Sequence, residues 1–294
     1  MKTKKISAYH CTKHITLALV SLLAIVPFLL LVIASFSSEQ SIVRNGYTFL
    51  PSEWSLAAYS YLIKEKAQIL SAYLITILVT LIGTSISIIL TTMLAYPLSR
   101  ADLPGRSVFA FLLFFTMLFN GGLVPNYIMW TRYLKVTNSI WALILPSLLL
   151  NAFYVIMTRS YYQSTIPQAL VEAAKIDGAS EFQIYSKIIL PLSKPIIATV
   201  ALFVGLSYWN DWNNGLLYVN ANSLNSIQML LNRMMANIQF MSNNSSLAGQ
   251  LIGQMPSATI RMAIAVIGVL PILIIYPFIQ KFFVKGIVVG AVKG

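Results

Sequence analysis

The stretch from Ala67 to Leu98 contains no charged side chain and constrains the fold of this chain more than any other feature. A helix needs about 20 apolar residues to cross the roughly 30 Å hydrocarbon core of a bilayer, and this stretch is longer. A surface helix of a water-soluble protein would instead carry polar residues along one face. The stretch therefore predicts a helix that crosses a membrane.

Five further apolar runs lie along the chain, and the composition agrees with them. Hydrophobic residues make up 57% of the 294 residues and charged residues only 10%, against about 25% charged in a soluble domain. The first run follows a basic segment, as a signal peptide would, but it exceeds the roughly 7–15 apolar residues of a signal peptide. We predict an all-α membrane protein with six transmembrane helices at residues 15–36, 67–98, 107–130, 139–158, 195–209 and 257–280.

The distribution of lysine and arginine predicts the orientation. If the N-terminal segment 1–14 is cytoplasmic, so are residues 99–106, residues 159–194 and the tail 281–294, while the loops 37–66 and 211–256 are outside. The cytoplasmic segments then hold 13 of the 20 basic residues, which agrees with the positive-inside rule. The net charge of +12 therefore indicates basic loops beside a membrane and does not indicate nucleic-acid binding.

The sequence lacks the residues that several kinds of functional site would require. Cys11 is the single cysteine, which excludes an intrachain disulfide, and with His10 and His14 it makes only a poor metal cluster. No Gly-x-x-x-x-Gly-Lys-Ser/Thr phosphate loop is present, and the acidic residues lie in loops or at helix ends. The missing phosphate loop predicts no ATP site in this chain, and the position of the acidic residues in loops or at helix ends argues against a proton-coupled carrier. A membrane enzyme would need a catalytic cluster that the sequence lacks.

The predicted cytoplasmic loop 159–194 carries helix signals. Thr165 to Gln168 fits a capping box with a proline in the first turn, and Gly178 supplies a helix stop. Ser180 to Gln183 is a second capping box, whose helix should run to Leu190. The sequence predicts two short helices that meet at a glycine elbow.

The first of these helices has an apolar side and a charged side. Glu172 and Lys175 lie on the charged side, and the apolar side comprises Ala169, Leu170, Ala173, Ala174 and Ile176. A helix shorter than about 12–15 residues is marginal alone, so this one needs a partner surface. That surface is either another protein or the membrane helices of the chain itself.

The loop resembles the EAA motif of ABC importer permeases, in which a short coupling helix sits in a cleft of the ATP-binding subunit. The matching residues are Glu172, Ala173, Ala174, Gly178, Ile188, Leu190 and Pro191. The stretches Asn120–Pro125 and Trp209–Trp212 are similar to permeases for complex carbohydrates. The C-terminal residues Val289–Gly294 are similar to the tail of permeases of the maltose-importer type. The resemblance covers about residues 15–294.

This resemblance implies a type I importer permease fold in the inner membrane of a bacterium. The implied partners are a second permease, two copies of an ATPase that binds ATP and Mg, an extracellular solute-binding protein and a carbohydrate. The chain itself would hold no cofactor and catalyse no reaction. Asp177 joins the motif residues as an expected ATPase contact, and Lys293 and Gly294 of the tail would reach the same subunit.

Aromatic and amide side chains could contact the sugar, because sugar rings stack on aromatic faces and amides bond hydroxyls. The candidates along the pathway are Asn120, Asn151, Tyr154, Tyr208, Trp209, Asn210, Asp211 and Trp212. The aromatic residues among them fit an interfacial belt equally well, and the amides fit helix–helix hydrogen bonds. Arg261, near the outer start of the last helix, reaches either lipid headgroups or the pathway.

Two other functions stay open at this point. The EAA motif alone does not distinguish a carbohydrate importer from an ABC permease for amino acids or peptides. A membrane scaffold that transports nothing would also be compatible with the apolar runs, and it differs in having no ATPase partner.

Overall fold

The computed structural model describes residues 8–243 and 257–291 of the chain, and these residues are helical without a named β-strand. The α-helices are α1 (Ala8–Ser35), α2 (Glu39–Asn45), α3 (Ala57–Lys64), α4 (Lys66–Ser99), α5 (Arg106–Leu118), α6 (Leu123–Ile128), α7 (Trp141–Ile144), α8 (Ala152–Thr165), α9 (Gln168–Ile176), α10 (Glu181–Ile184), α11 (Leu190–Leu192), α12 (Lys194–Trp209), α13 (Asn213–Tyr218), α14 (Ile227–Asn243) and α15 (Ser257–Ala291). Short π-helical turns, Met129–Tyr133 and Tyr185–Ile189, follow α6 and α10, and a 3₁₀ turn, Asn222–Leu224, precedes α14.

The chain forms two compact units. One contains Met1–Ala67 and Leu231–Pro271, and the other contains Gln68–Leu230 and Ile272–Gly294. In the first unit, Glu39 at the start of α2 accepts hydrogen bonds from the backbone N–H groups of Ala258 and Thr259, at 2.9 and 3.0 Å. A carboxylate at this position satisfies donors that the first turn of α15 would otherwise leave unpaired.

The core of the second unit lies where α4, α7, α8 and α12 meet. Along α8 the buried residues are Val155, Thr158 and Tyr162, which repeat at the spacing of one helix face. Against them pack the buried Ala142–Ile144 of α7 and the buried valines Val200 and Val204 of α12. This core anchors the loop region 159–194, because α8 continues directly into it.

Three helices in the described part of the chain are long and apolar enough to cross a membrane: Thr12–Ser35, Lys66–Ser99 and Ala258–Ile275. Two bent pairs pass the same test together, Arg106–Leu118 with Leu123–Tyr133 and Glu181–Leu192 with Lys194–Trp209, which would bring the number of spans to five. The helix α12 covers the predicted run 195–209. The helix α15 continues to Ala291, beyond the end predicted at Gln280.

The prediction of one continuous helix over residues 139–158 is wrong. The structure has α7 and α8 there, separated by residues 145–151, with Ser147 at a left-handed φ of 63°. Side chains from elsewhere bond the carbonyls that the break frees: the Tyr208 hydroxyl donates to Ile144 O at 2.9 Å, and Asn214 Nδ2 donates to Pro146 O at 3.0 Å. A broken helix is tolerated in a membrane when such partners satisfy its backbone.

The predicted span 107–130 is also interrupted, at the polar residues that the sequence indicated. The axes of α5 and the helix beginning at Leu123 differ by 110°, and Gly122 lies between them with a φ of 87°. Asn120 Oδ1 accepts a hydrogen bond from Gly122 N at 2.9 Å and closes the turn. The bend therefore follows from a residue free to adopt positive φ and an adjacent amide that stabilises the turn.

Candidate functional site

The first half of the site is α9, the nine-residue helix of the loop. It begins after Pro167, so the capping box predicted at Thr165 is wrong. The physical reason is that α8 extends to Thr165, which leaves that residue in a helical conformation and not in the extended conformation of an N-cap. Pro167 has a suitable φ of −63° but offers no side-chain acceptor.

The elbow after α9 forms as the sequence predicted. Gly178 has a φ of 78°, and Ala179 N donates to Ala174 O at 2.9 Å. This hydrogen bond closes the end of the helix, and it requires a left-handed residue that glycine supplies without strain. Asp177, predicted as an ATPase contact, is the exposed C-cap residue of α9.

The second helix begins at the predicted capping box. Gln183 N donates to Ser180 Oγ at 3.3 Å, and Ser180 N donates to Gln183 Oε1 at 2.9 Å. The helical segment ends two residues later than the predicted Leu190, because the π-helical turn Tyr185–Ile189 is followed by the short helix α11, which ends at Leu192. Ile188 and Leu190 are half-buried against the core, whereas Pro191 is exposed.

Lys175 joins α9 to the loop that follows α4 and to the second helix of the elbow. Its Nζ lies 3.2 Å from Asp102 Oδ2 and 2.8 Å from Glu181 Oε1. Asp102 is also bound by Arg100 through two hydrogen bonds of 3.0 and 2.9 Å. Exposed ion pairs add little stability, so we assign this network a positioning role.

The charges in this network stabilise one another. Hydrogen bonds from Arg100 and Lys175 hold the pKa of Asp102 well below its usual range. Hydrogen bonds from Lys175 and Tyr96 lower the pKa of Glu181, and those to Glu181 and Asp102 raise the pKa of Lys175. The two acids and the lysine are therefore all charged at neutral pH.

Hydrogen bonds of hydroxyl groups reinforce the attachment to α4. The Tyr96 hydroxyl donates to Glu181 Oε2, and the hydroxyls of Thr92 and Tyr185 share a hydrogen bond of 2.9 Å. The rings of Tyr96 and Tyr185 lie 5.6 Å apart. These contacts are partly buried, so they hold the second half of the elbow more firmly than the exposed ion pairs do.

This network of ion pairs is not evident from the sequence. The helix pattern puts Lys175 beside Glu172, but Glu172 Oε1 instead accepts a hydrogen bond from Gln168 Nε2 at 2.9 Å. Of the two acids that bind Lys175, Glu181 lies six positions later and Asp102 lies 73 positions earlier in the chain. The one signal in the sequence is that Asp102 is an acid between Arg100 and Arg106, which follow the apolar run 67–98.

One edge of α9 is buried and the rest of its surface is open. Val171 is 5% exposed and Ala174, one of the residues of the predicted apolar side, is half-buried, so both lie on the inner edge of the helix. Ala173 and Leu170 are exposed, and Ile176 is 87% exposed. The outer surface of α9 is therefore apolar and uncovered by the described part of the chain.

Two of the predicted pathway amides cap local structure. Asn120 closes the turn before α6, and Asn151 Oδ1 accepts a hydrogen bond from Phe153 N at 2.9 Å as the N-cap of α8. Both are exposed residues of the second unit. Tyr154, the third candidate, stacks on Phe203 of α12 with ring centroids 6.3 Å apart.

The cluster Tyr208–Trp212 divides into buried and exposed members. Tyr208 and Trp209 are buried, and Trp209 lies 6.3 Å from the ring of Tyr73. Asp211 Oδ1 accepts hydrogen bonds from the N–H groups of Asn213 and Asn214, at 3.1 and 3.3 Å. Asn210 and Trp212 are the exposed members.

Other predicted residues fall elsewhere. Arg261 lies in the first unit, and its Nε is buried without a hydrogen-bond partner among the described residues. Lys293 and Gly294 lie outside the described residues, as do the loop residues 244–256 and the first seven residues. Within the described ranges, no three His, Cys, Asp or Glu residues are placed to hold a metal ion.

Helices long and apolar enough to cross a membrane define this chain as an integral membrane protein, and its short helical elbow presents an exposed surface. The chain belongs to the family of binding-protein-dependent transport system inner membrane components, whose sequence pattern matches residues 103–289.

The relatives cover almost the whole chain. The polygalacturonan/rhamnogalacturonan transport system permease protein YtcP of Bacillus subtilis is 40% identical over 95% of this chain and 96% of its own length. The arabinooligosaccharides transport system permease protein AraQ of Halalkalibacterium halodurans is 28% identical over 100% of this chain and 99% of its own. A chain of a bacterial ABC transporter involved in the import of the acidic polysaccharide alginate is 30% identical, with a TM-score of 0.79 over 96% of this chain and 99% of that one.

Proposed function

We propose that this chain is the channel-forming subunit of an ATP-driven, binding-protein-dependent importer of carbohydrate, and that α9 is the helix through which a partner ATPase drives it. The observation that carries the proposal is the outer surface of α9, where Ile176 is 87% exposed on a helix whose opposite edge is buried. A helix this short gains its stability from packing, so an uncovered apolar side favours a partner.

The anchoring of α9 supports a mechanical role. Glu181 and Tyr185 bond the hydroxyls of Tyr96 and Thr92 in the last two turns of α4, a helix of 34 residues, and Lys175 connects α9 to Glu181. A displacement of α9 would reach α4 through these contacts without first deforming a flexible segment. ATP-driven closure of the ATPase would thus tilt the membrane helices and alternate access to the pathway.

The proposed topology has six crossings with both termini in the cytoplasm. Five correspond to the three long helices and the two bent pairs, and the sixth is the broken pair α7 and α8. In this arrangement the domains are the segments predicted from the sequence, with the loops 37–66 and 211–256 outside and the coupling loop 159–194 inside. The longer outer loop would meet the solute-binding protein.

The proposed assembly contains a second permease, two ATPase subunits that bind ATP and Mg, and the binding protein. The expected ATPase contacts are the EAA residues of the loop together with Lys293 and Gly294. Carbohydrate is favoured as the solute because the relatives described above are named for polysaccharides or oligosaccharides. Asn210 and Trp212 are the strongest remaining sugar-contact candidates, since both are exposed.

The experiment is a cross-link from α9. In a Cys11→Ser background, Ala173→Cys should cross-link through a short bifunctional maleimide to an ATPase subunit in native membranes. The control is Leu50→Cys, which is also exposed, at 88%, but belongs to a proposed outer loop, and it should give no such product.

The outcomes separate the alternatives. If an ATPase co-purifies but Ala173→Cys does not reach it, the coupling role of α9 is wrong and the importer assignment survives. If no ATPase co-purifies with the chain, the importer assignment itself is contradicted and a scaffold becomes the better description. If peptides, but not oligosaccharides, stimulate ATP hydrolysis by the assembled complex, the carbohydrate assignment is contradicted.

A further inference from the structure

Two arginines of the second unit line the same cavity, and neither forms an ion pair within the part of the chain that the structure describes. Arg106 is the first residue of α5, and Arg159 lies on α8, which packs against α5. Both side chains are half-buried, and their positive charges repel each other. Arg159 Nε is buried and has no hydrogen-bond partner among the described residues.

The nearby acids are already used. Asp102 binds Arg100 and Lys175, and Glu181 binds Lys175 and Tyr96. Among the described residues neither Arg106 nor Arg159 forms an ion pair. Two partly desolvated guanidinium groups without an anion are unfavourable, and an anionic ligand would relieve this cost.

A cavity lies at these two side chains. Its volume is about 540 Å³, and its lining includes Gly105, Ser107 and both arginines. The Ser107 hydroxyl adds a hydrogen-bond donor beside the guanidinium groups. Arginine binds the oxygens of a phosphate through paired N–H groups, so the donor set fits a phosphate group.

The surface next to the cavity is apolar and exposed. Val108, Phe111, Leu112 and Phe115 follow one another at the spacing of a single helix face on α5, and all four are exposed. Ser107 lines the cavity one turn before Phe111, on the same side of the helix. The cationic cavity therefore opens onto an apolar surface, which suits a ligand that is anionic at one end and apolar at the other.

We propose that Arg106 and Arg159 bind the phosphate of an anionic phospholipid, whose acyl chains lie along the exposed face of α5. Basic pockets between transmembrane helices on the cytoplasmic side are where such headgroups bind, and the topology proposed above puts this cavity there. The lipid would bridge α5 and α8 beside the 101–105 loop, which carries Asp102 of the elbow network. A free phosphate would meet the same arginines but would leave the apolar surface unused.

The test measures lipid retention and does not depend on transport. The full-length chain, purified with the subunits that accompany it, is delipidated and analysed by native mass spectrometry with phosphatidylglycerol or phosphatidylcholine of the same acyl chains. We expect a preference for phosphatidylglycerol of roughly thirtyfold, because each of two arginines contributes at an anionic headgroup. The pair Arg106→Gln and Arg159→Gln should abolish it.

The control pair is Arg44→Gln and Arg132→Gln, which removes the same charge from two exposed positions and should leave the preference intact. If both double variants lose the preference for phosphatidylglycerol equally, or if the wild-type chain shows no such preference, the proposed site is refuted. If millimolar inorganic phosphate displaces the lipid, the ligand is a free phosphate and the lipid assignment is wrong. If the Arg106→Gln and Arg159→Gln variant does not assemble, the variant Arg106→Lys with Arg159→Lys replaces it. Lysine keeps the charge but cannot donate paired hydrogen bonds, so this variant must show a reduced preference for phosphatidylglycerol. An unchanged preference contradicts the proposal.

Discussion

At the scale of single residues, backbone conformation and close packing distinguish two glycines. Gly178 has a φ of 78°, and a Cβ at this position would meet no atom within 4 Å. Gly83 is the opposite case, because a Cβ there would lie 2.5 Å from the ring of Tyr208. The first glycine is required by its conformation and the second by the proximity of its neighbour.

The Gly178 elbow can be tested with two side chains that differ in their tolerance of positive φ. Gly178→Val should strain the elbow by about 1–2 kcal/mol, whereas Gly178→Asn should be tolerated because asparagine adopts the left-handed region. We expect the valine variant to lose solute uptake and solute-stimulated ATPase activity in the assembled complex. Equal activity of the two variants would mean that the conformation of the elbow is unimportant.

Gly83 allows a packing test with a matched control. Gly83→Ala should push α4 away from Tyr208 and destabilise the protein by about 1–3 kcal/mol, the usual cost of overpacking. Gly205→Ala is the control, since its Cβ would make an ordinary contact of 3.6 Å with Thr84 Oγ1. Thermal unfolding in detergent should show a lower midpoint for the first variant only, and a shift of the same size in both would contradict the argument.

At the scale of elements, α9 depends on Lys175 for its attachment to Asp102, in the loop after α4, and to Glu181 of the second helix. Lys175→Gln should loosen α9, because it removes the ion pairs to Asp102 and Glu181 while leaving the outer apolar surface unchanged. We expect faster amide hydrogen exchange in α9 and less uptake per ATP hydrolysed, with the ATPase still bound. Lys187→Gln is the control, because Lys187 is an exposed residue of the same loop. Unchanged exchange in α9 would exclude a positioning role for Lys175.

At the scale of the whole molecule, the orientation in the membrane is the property to test. In a Cys11→Ser background, a membrane-impermeant maleimide should label Leu50→Cys in intact cells. It should label Ile176→Cys, which has nearly the same exposure, only after the cells are opened. Labelling of Ile176→Cys in intact cells would reverse the proposed topology and remove α9 from the reach of a cytoplasmic ATPase.

The helical class, most of the apolar runs, the glycine elbow and the Ser180 capping box follow from the amino-acid sequence alone. These features were predictable because hydrophobicity along a run, the φ range of glycine and a side-chain cap three residues away are local properties of the chain. The EAA residues also indicated the family, which the comparison with known permeases confirmed.

The break between α7 and α8, the partners of Lys175 and the placement of Arg106 and Arg159 at one cavity depend on contacts between distant parts of the chain. Tyr208 bonds a carbonyl 64 positions away, and Asp102 binds a lysine 73 positions away. An interrupted helix and a partly buried charge acquire their energies from such distant partners, which no pattern within a short window contains.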